Sequence, residues 1–243
     1  MLTDPIFCMA DSSTMVFLHP DLSDIPDSLK EDLFNPDRLQ KEGLITRSEE
    51  GRGTTYFFNF RNHACVLRHY FRGGFISKLS KHSYLWLGLK NSRAYREWQI
   101  LQEIEKRGLP APRPIAMRIE ISGLTCRSDI VTEEIEGSAA LSSILCEKPL
   151  DEKDWRRIGA TIRSFHDKGV FHQDLNAMNI LLGSETCHLI DFDRGRIMTG
   201  QWWKDRTLKR LLRSLNKLLR KNDPFYFDPL HWDFLLDGYR EQD

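Results

Sequence analysis

The chain lacks the cysteine spacing that a disulfide framework or a zinc site requires. Cys8, Cys65, Cys126, Cys146 and Cys187 are odd in number, scattered, and never arranged as CxxC, so a reducing cytosolic setting is expected. A secretion signal is also missing: MLTDPIFCMADSS has no basic segment and carries Asp4 and Asp11. No apolar run approaches the length that spans a bilayer, so any meeting with a membrane is expected to be peripheral. Net charge is absent as well, since 35 basic and 35 acidic residues cancel. Global charge therefore selects no partner, and nucleic acid is not expected. Locally it is acid that is scarce. From Arg61 to Arg96 there is no Asp or Glu, and from Arg196 to Lys221 nine Lys and Arg face the single acid Asp205. Such runs form solvated faces, or suit an anionic ligand or membrane surface. Internal repeats and low-complexity linkers are lacking too.

What remains is an ordinary globular composition, 40% hydrophobic and 29% charged over 243 residues, enough chain for two lobes. Residues 1–40 are acidic and look like an N-terminal extension of short helical pieces broken at Pro26 and Pro36. Residues 41–136 suggest a small sheet with one helix. Tyr56 to Tyr70 reads as a hairpin turning at RNH, preceded by the glycine loop EGRGTT, and IAMRIEISG and SDIVTEEI read as two more strands. Between them Ala94, Tyr95, Trp98, Leu101 and Ile104 recur at helical spacing up to Gly108. Residues 137–243 read as mainly helical. Asp151 and Asp154 offer N-caps to a helix with Ile158, Ile162 and Phe165 on its apolar stripe and Gly169 at its end. NILLG and CHLID follow as short buried strands around GSET.

Within that second half, FHQDLNAMNILL crowds a histidine, a carboxylate and three carboxamides into eight residues. Asp174, Asn179 five positions later, and Asp191 at the end of a hydrophobic strand supply hard oxygen ligands from neighbouring loops. Mg2+ takes one or two carboxylates, an amide oxygen and substrate phosphates, so the array points to a magnesium-bound phosphate donor.

These residues resemble the protein-kinase-like superfamily. HQDLNAMN matches the catalytic loop H-R-D-x-x-x-x-N, and Asp191 to Asp193, DFD, stands in place of D-F-G. Upstream pieces follow in the expected order over roughly residues 40–221. The resemblance implies an α+β, two-lobed kinase-like fold binding ATP and Mg2+. Gly51 and Gly53 would belong to the loop over the phosphates, Arg68 would stand at the usual lysine position with Glu97 as its carboxylate partner, and TEEIEG, with Glu133 and Ile135, would be the adenine-binding hinge. Asp174 would be the catalytic base, with Asn179 and Asp191 on the metal and His172 a brace for the loop.

Departures from the pattern carry information. Tyr56 stands where a third glycine would be. Asn176 sits two residues after the catalytic Asp, where protein kinases often have lysine, so positive charge on the transferring phosphoryl is expected from Mg2+, Arg68, Arg194 or Arg196. After DFDRGR there is no APE motif and little room for an activation segment, which favours a small acceptor over a protein.

More narrowly, VLRHYFRGG, YREWQILQEIEKRGLPAPRPIA, FHQDLNAMNILL, LIDFDRGRI and LKRLLRSLNK are similar to the Kdo kinases, a family of bacterial lipopolysaccharide-core kinases. The resemblance implies phosphorylation of the 4-hydroxyl of 3-deoxy-D-manno-octulosonic acid (Kdo) on a Kdo-lipid A precursor, at the cytoplasmic face of the inner membrane. The alternatives are a kinase of lipopolysaccharide heptose or another small acceptor, and a nucleotide-binding pseudokinase scaffold. The leucines of LKRLLRSLNKLLRK read as a core-facing stripe, or as the apolar face of a membrane-surface helix whose arginines meet anionic lipid.

Overall fold

The computed structural model of the protein describes residues 6–9, 13–22, 25–26, 31–50, 54–70 and 84–241. Gly51 and Gly53 of the glycine loop, and Arg72, Lys78 and Lys81 of the acid-poor stretch, lie outside them. Chain contacts define two compact units, Met1–Gln102 with Arg113–Glu134, and Glu103–Pro112 with Ile135–Asp243.

In chain order the first unit runs β1 (Ile6–Met9), β2 (Thr14–Leu18), α1 (Pro36–Lys41), β3 (Ile45–Glu50), β4 (Thr54–Phe60), β5 (His63–His69), β6 (Tyr84–Leu85), α2 (Arg93–Lys106, of which the first unit takes the part up to Gln102), β7 (Pro114–Ser122) and β8 (Thr125–Glu133). Its antiparallel sheet has the order β1-β2-β7-β8-β5-β4-β3, with β6 on β8. The β4–β5 hairpin turns at Arg61, which takes the left-handed conformation at φ 52°. Side chains alternate across strands. Phe58, Phe60, Cys65 and Leu67 therefore join Val16, Leu18 and Val131 in one core, while the opposite face packs Met117, Ile119 and Cys126 against Ala94 and Trp98 of α2. Burial pushes the Cys65 thiol up to about 12. With Leu67 committed to the first core, Arg68 falls on the face of α2.

Residues 1–40, read as an extension of helical pieces, contribute two strands to this sheet. Thr14–Leu18 pairs with β7 from Thr14↔Glu120 to Leu18↔Ala116. Val16 and Leu18 enter one core and Phe17 the other. Helical residues Glu31 and Asp32 give way before Pro36, and Pro36 then opens α1, because Pro fits the first turn and Asn35 Oδ1 accepts from the amides of Asp37 and Arg38 at 3.1 and 3.2 Å.

The second unit runs β9 (Ala139–Ala140), α3 (Leu141–Glu147), α4 (Glu152–Asp167), β10 (Val170–Phe171), β11 (Ile180–Leu182), β12 (Cys187–Leu189), β13 (Arg196–Ile197), α5 (Lys204–Leu219) and α6 (Pro229–Arg240). Asp151 caps α4, accepting from the Asp154 amide at 2.8 Å; Gly169, at φ 70°, lets the chain reverse after it. α4 and α6 cross at two glycines. A Cβ on Gly159 would stand 2.0 Å from the Leu235 carbonyl oxygen, and one on Gly238 would stand 2.1 Å from that of Arg156. On α5, Thr207, Leu208, Leu211 and Leu215 are buried, so these leucines of the stripe face the core, while Leu219, Arg206, Lys209, Arg213 and Lys217 are exposed. Trp203 anchors the start of α5 at 0% exposure, whereas Trp202 is 68% exposed.

Candidate active site

The loop after β10 is built by its own amides. The Asp174 carbonyl accepts from Asn176 Nδ2 at 2.8 Å and from Asn179 Nδ2 at 3.0 Å. Asn176 Oδ1 in turn accepts from the Met178 amide at 2.8 Å, which starts the 3-10 turn Ala177–Asn179. A carbonyl oxygen only accepts, so it is the Asn179 NH2 that faces Asp174, and Oδ1 is the end left to serve as a ligand.

Ile190 ties this loop to the strand end that carries Asp191. Its N–H donates to the Asn179 carbonyl at 3.0 Å, and its carbonyl accepts from His172 Nε2 at 2.8 Å. The backbone of Asn179 is thereby tied to the residue before Asp191, and Asp191 takes the left-handed conformation at φ 66°, a cost that a non-glycine residue carries at functional sites more often than elsewhere. His172 is buried at 3% exposure against Phe192, ring centroids 4.6 Å apart. Desolvation holds its pKa below the ordinary 6.5, so it is neutral and braces the loop.

One residue that the sequence reading did not anticipate joins the site. Arg210 Nη2 on α5 donates to Asp174 Oδ1. One turn further along the same face, Ser214 Oγ accepts from the Ala177 amide at 3.3 Å. Nothing in the local motif announces either contact, because α5 enters from 36 residues away. Arg194 and Arg196, the nearby cations considered from sequence, are exposed.

In the first unit, Arg68 Nη2 donates to Glu97 Oε1, and Tyr70 Oη donates to Glu97 Oε2. Glu97 is fully buried at 0% exposure, a position a carboxylate holds only when paired. The sequence pattern alone gives no sign that Tyr70 joins this pair. Glu133 ends β8 with its N–H donating to the Arg113 carbonyl at 2.8 Å, next to Glu134, whose N–H donates to Ala64 at 2.8 Å. Ile135 begins the second unit, and its carbonyl accepts from Ser138 Oγ at 2.6 Å.

Among the described residues no group of three or more His, Cys, Asp or Glu is arranged to hold a metal ion. The Asn179 amide oxygen and the Asp191 carboxylate nonetheless fit Mg2+, which commonly rests on one or two protein oxygens and completes its octahedron with substrate phosphate and water. Asp174, with one carboxylate oxygen on a guanidinium, has the other to accept a proton.

Comparison with known proteins agrees with this architecture. The lipopolysaccharide kinase (Kdo/WaaP) family model matches residues 37–239. Curated relatives named 3-deoxy-D-manno-octulosonic acid kinase include one from Haemophilus influenzae, 37% identical over 219 residues, covering 86% of this chain and 90% of the relative. One from Vibrio parahaemolyticus is 38% identical, covering 91% and 90% of the two chains, and one from Vibrio cholerae is 40% identical, covering 75% and 78%. Among solved structures, WaaP in complex with acyl carrier protein shares the fold at TM-score 0.54 and 19% identity, covering 86% of this chain and 85% of WaaP. A two-unit α+β chain with a kinase-type loop and a match of this extent belongs to the lipopolysaccharide kinase (Kdo/WaaP) family.

Proposed function

We propose that the protein transfers the γ-phosphoryl group of ATP to the 4-hydroxyl of Kdo on a Kdo-lipid A precursor, working peripherally at the cytoplasmic face of the bacterial inner membrane. The observation that carries the reading is the double tie at Ile190, which joins the Asp174–Asn179 loop to Asp191 in a chain whose relatives are named Kdo kinases.

Asp174 orients the acceptor hydroxyl for in-line attack and accepts its proton. Arg68, held in place by the buried Glu97, grips the α- and β-phosphate oxygens of the donor; its planar fork suits two oxygens at once. The Glu133 carbonyl and the Ile135 N–H meet adenine, and Gly51 and Gly53 cover the phosphates. Asn179 and Asp191 hold Mg2+, which when bound neutralises charge on the donor's phosphates. No helix among the described residues is long and apolar enough to cross a membrane. The exposed cations of α5 suit contact with anionic lipid.

The test is an acceptor comparison with the purified protein and Mg-ATP, read by mass change and by fragmentation of the product. Phosphate is expected on Kdo-lipid A precursor, at the 4-hydroxyl, and on neither heptose-bearing acceptors nor peptide. Asp174→Asn and Asp191→Asn should each lower kcat by about 10²–10⁴-fold. Phosphate on heptose alone would move the acceptor. Mg-ATP binding without transfer to any acceptor would make the protein a scaffold and overturn the reading.

A further inference from the structure

The loop that holds Asp174 supplies no positive charge of its own. Asn176 occupies the position where the kinase pattern often has lysine, and both ends of its carboxamide are spent on loop backbone, Nδ2 on the Asp174 carbonyl and Oδ1 on the Met178 amide, each at 2.8 Å. It is neutral and turned inward. A phosphoryl group in flight spreads negative charge over its peripheral oxygens, and most of an enzyme's leverage there is electrostatic. A cation must come from elsewhere in the fold.

α5 brings one. Its buried face of Thr207, Leu211 and Leu215 fixes the rotation of the helix, and residues four apart share a face. Arg210 and Ser214 therefore approach the loop together, Arg210 onto Asp174 Oδ1 and Ser214 onto the Ala177 amide. The helix is thus docked at two points one turn apart. Among the described residues Asp174 is the one hydrogen-bond partner of Arg210, so the remaining guanidinium N–H groups stay available to an anion. Arg210 and Asp174 side chains are 45% and 41% exposed, open enough for substrates to reach both. An ion pair with that exposure adds little to folding, so stability alone gives a weak reason for its presence.

We infer that Arg210 is a catalytic residue of phosphoryl transfer, standing in from α5 for the cation the loop omits; the inference rests on the function proposed above. One guanidinium arm holds Oδ1 so that Oδ2 of Asp174 faces the acceptor hydroxyl. The other N–H groups meet the oxygens of the transferring group. In the step itself the acceptor oxygen forms its bond to the γ-phosphorus, and the bond from that phosphorus to the β,γ-bridging oxygen breaks. The electron pair leaves with ADP and the hydroxyl proton passes to Asp174 Oδ2. Arg210 keeps its proton throughout.

The experiment uses the full chain with Mg-ATP and Kdo-lipid A precursor, comparing wild type, Arg210→Ala, Arg210→Lys, Ser214→Ala and Asp174→Asn. Arg210→Ala should lose about 10²–10³-fold in kcat, with KM for ATP and the unfolding midpoint close to wild type. Arg210→Lys should recover about tenfold of that as a point charge without the fork. Added guanidinium ion should restore Arg210→Ala in a saturable way and do nothing for Ser214→Ala. If Arg210→Ala retains kcat within about threefold while Asp174→Asn is inactive, the inference fails and the function stands. Loss in Arg210→Ala that neither lysine nor guanidinium repairs, or that tracks a lowered unfolding midpoint, makes the residue structural and also overturns it. If wild type transfers nothing, the proposed function fails and the inference falls with it; if Asp174→Asn remains fully active, transfer stands but Asp174 is not the base, and the inference falls.

Discussion

His166 shows how much a single buried ring can set the acid sensitivity of the second unit. It lies between Trp203, 4.9 Å away edge-on, and Tyr239, whose hydroxyl is 2.8 Å from Nδ1. Desolvation and then the Lys204 charge lower its pKa from 6.5 to about 3, with Arg163 acting in the same direction and Asp167 against it. The unfolded chain takes up a proton below pH 6.5 that the folded chain refuses until about pH 3. Stability is therefore unaffected by this group above pH 6.5 and falls as pH drops through that window, by up to about 1.4 kcal/mol per pH unit. His172 and His188, both lowered by burial, add in the same direction. Urea midpoints measured at pH 7.5, 6 and 5 should fall with acid in wild type and fall less steeply in His166→Gln. Parallel slopes would show that His166 is free to protonate. At this same scale the placing of Asp174 and Asn179 in one loop, with Asp191 just past a strand end, was legible in the sequence, because fixed spacings carry it. Arg210 was not: along α5 it is one of several cations on a polar face, and only the rotation imposed by the buried Leu211 and Leu215 singles it out. Tyr70 escaped for a related reason, since a tyrosine ending a strand pattern does not announce a buried carboxylate.

Among the elements, the crossing of α4 and α6 reverses an ordinary rule. Gly→Ala inside a helix usually stabilises by about 1 kcal/mol. At Gly159 the new methyl would stand 2.0 Å from a carbonyl oxygen of α6, and at Gly238 it would stand 2.1 Å from one of α4; backbone, unlike a flexible side chain, cannot swing aside. Gly159→Ala and Gly238→Ala should each destabilise by about 1–3 kcal/mol, measured by denaturant unfolding, and an unchanged or raised midpoint would mean that the two helices do not approach this closely. Elements with a long period were the easy ones to read. The alternation of β4, β5, β7 and β8 and the stripe of α2 gave their places to within a few residues. Thr14–Leu18 was harder, because TMVFL buries both faces and so presents a short uniform apolar run with no period to detect. The helical reading of residues 1–40 followed their acids and prolines, whereas the strand there is held by its pairing with β7, a partner about a hundred residues away.

For the molecule as a whole, a formal charge of zero conceals a local asymmetry. The core takes Leu208, Leu211 and Leu215 of α5, and Lys209, Arg213 and Lys217, four residues apart, share an exposed face. Each basic residue near an anionic bilayer is worth about 1 kcal/mol. Replacing Lys209, Arg213 and Lys217 together by Gln should thus weaken co-sedimentation with phosphatidylglycerol vesicles by roughly a hundredfold. Binding by wild type should fall with salt. Equal binding to zwitterionic vesicles would show that charge is not what draws the protein to a surface. The glycine crossing has a consequence of another kind, in time. Gly159 leaves the ribosome 79 residues ahead of Gly238, an interval of roughly 4–16 s at ordinary rates of synthesis. Throughout it the Gly159 side of α4 waits without its mate, an apolar notch that a chaperone or a wrong neighbour can find first.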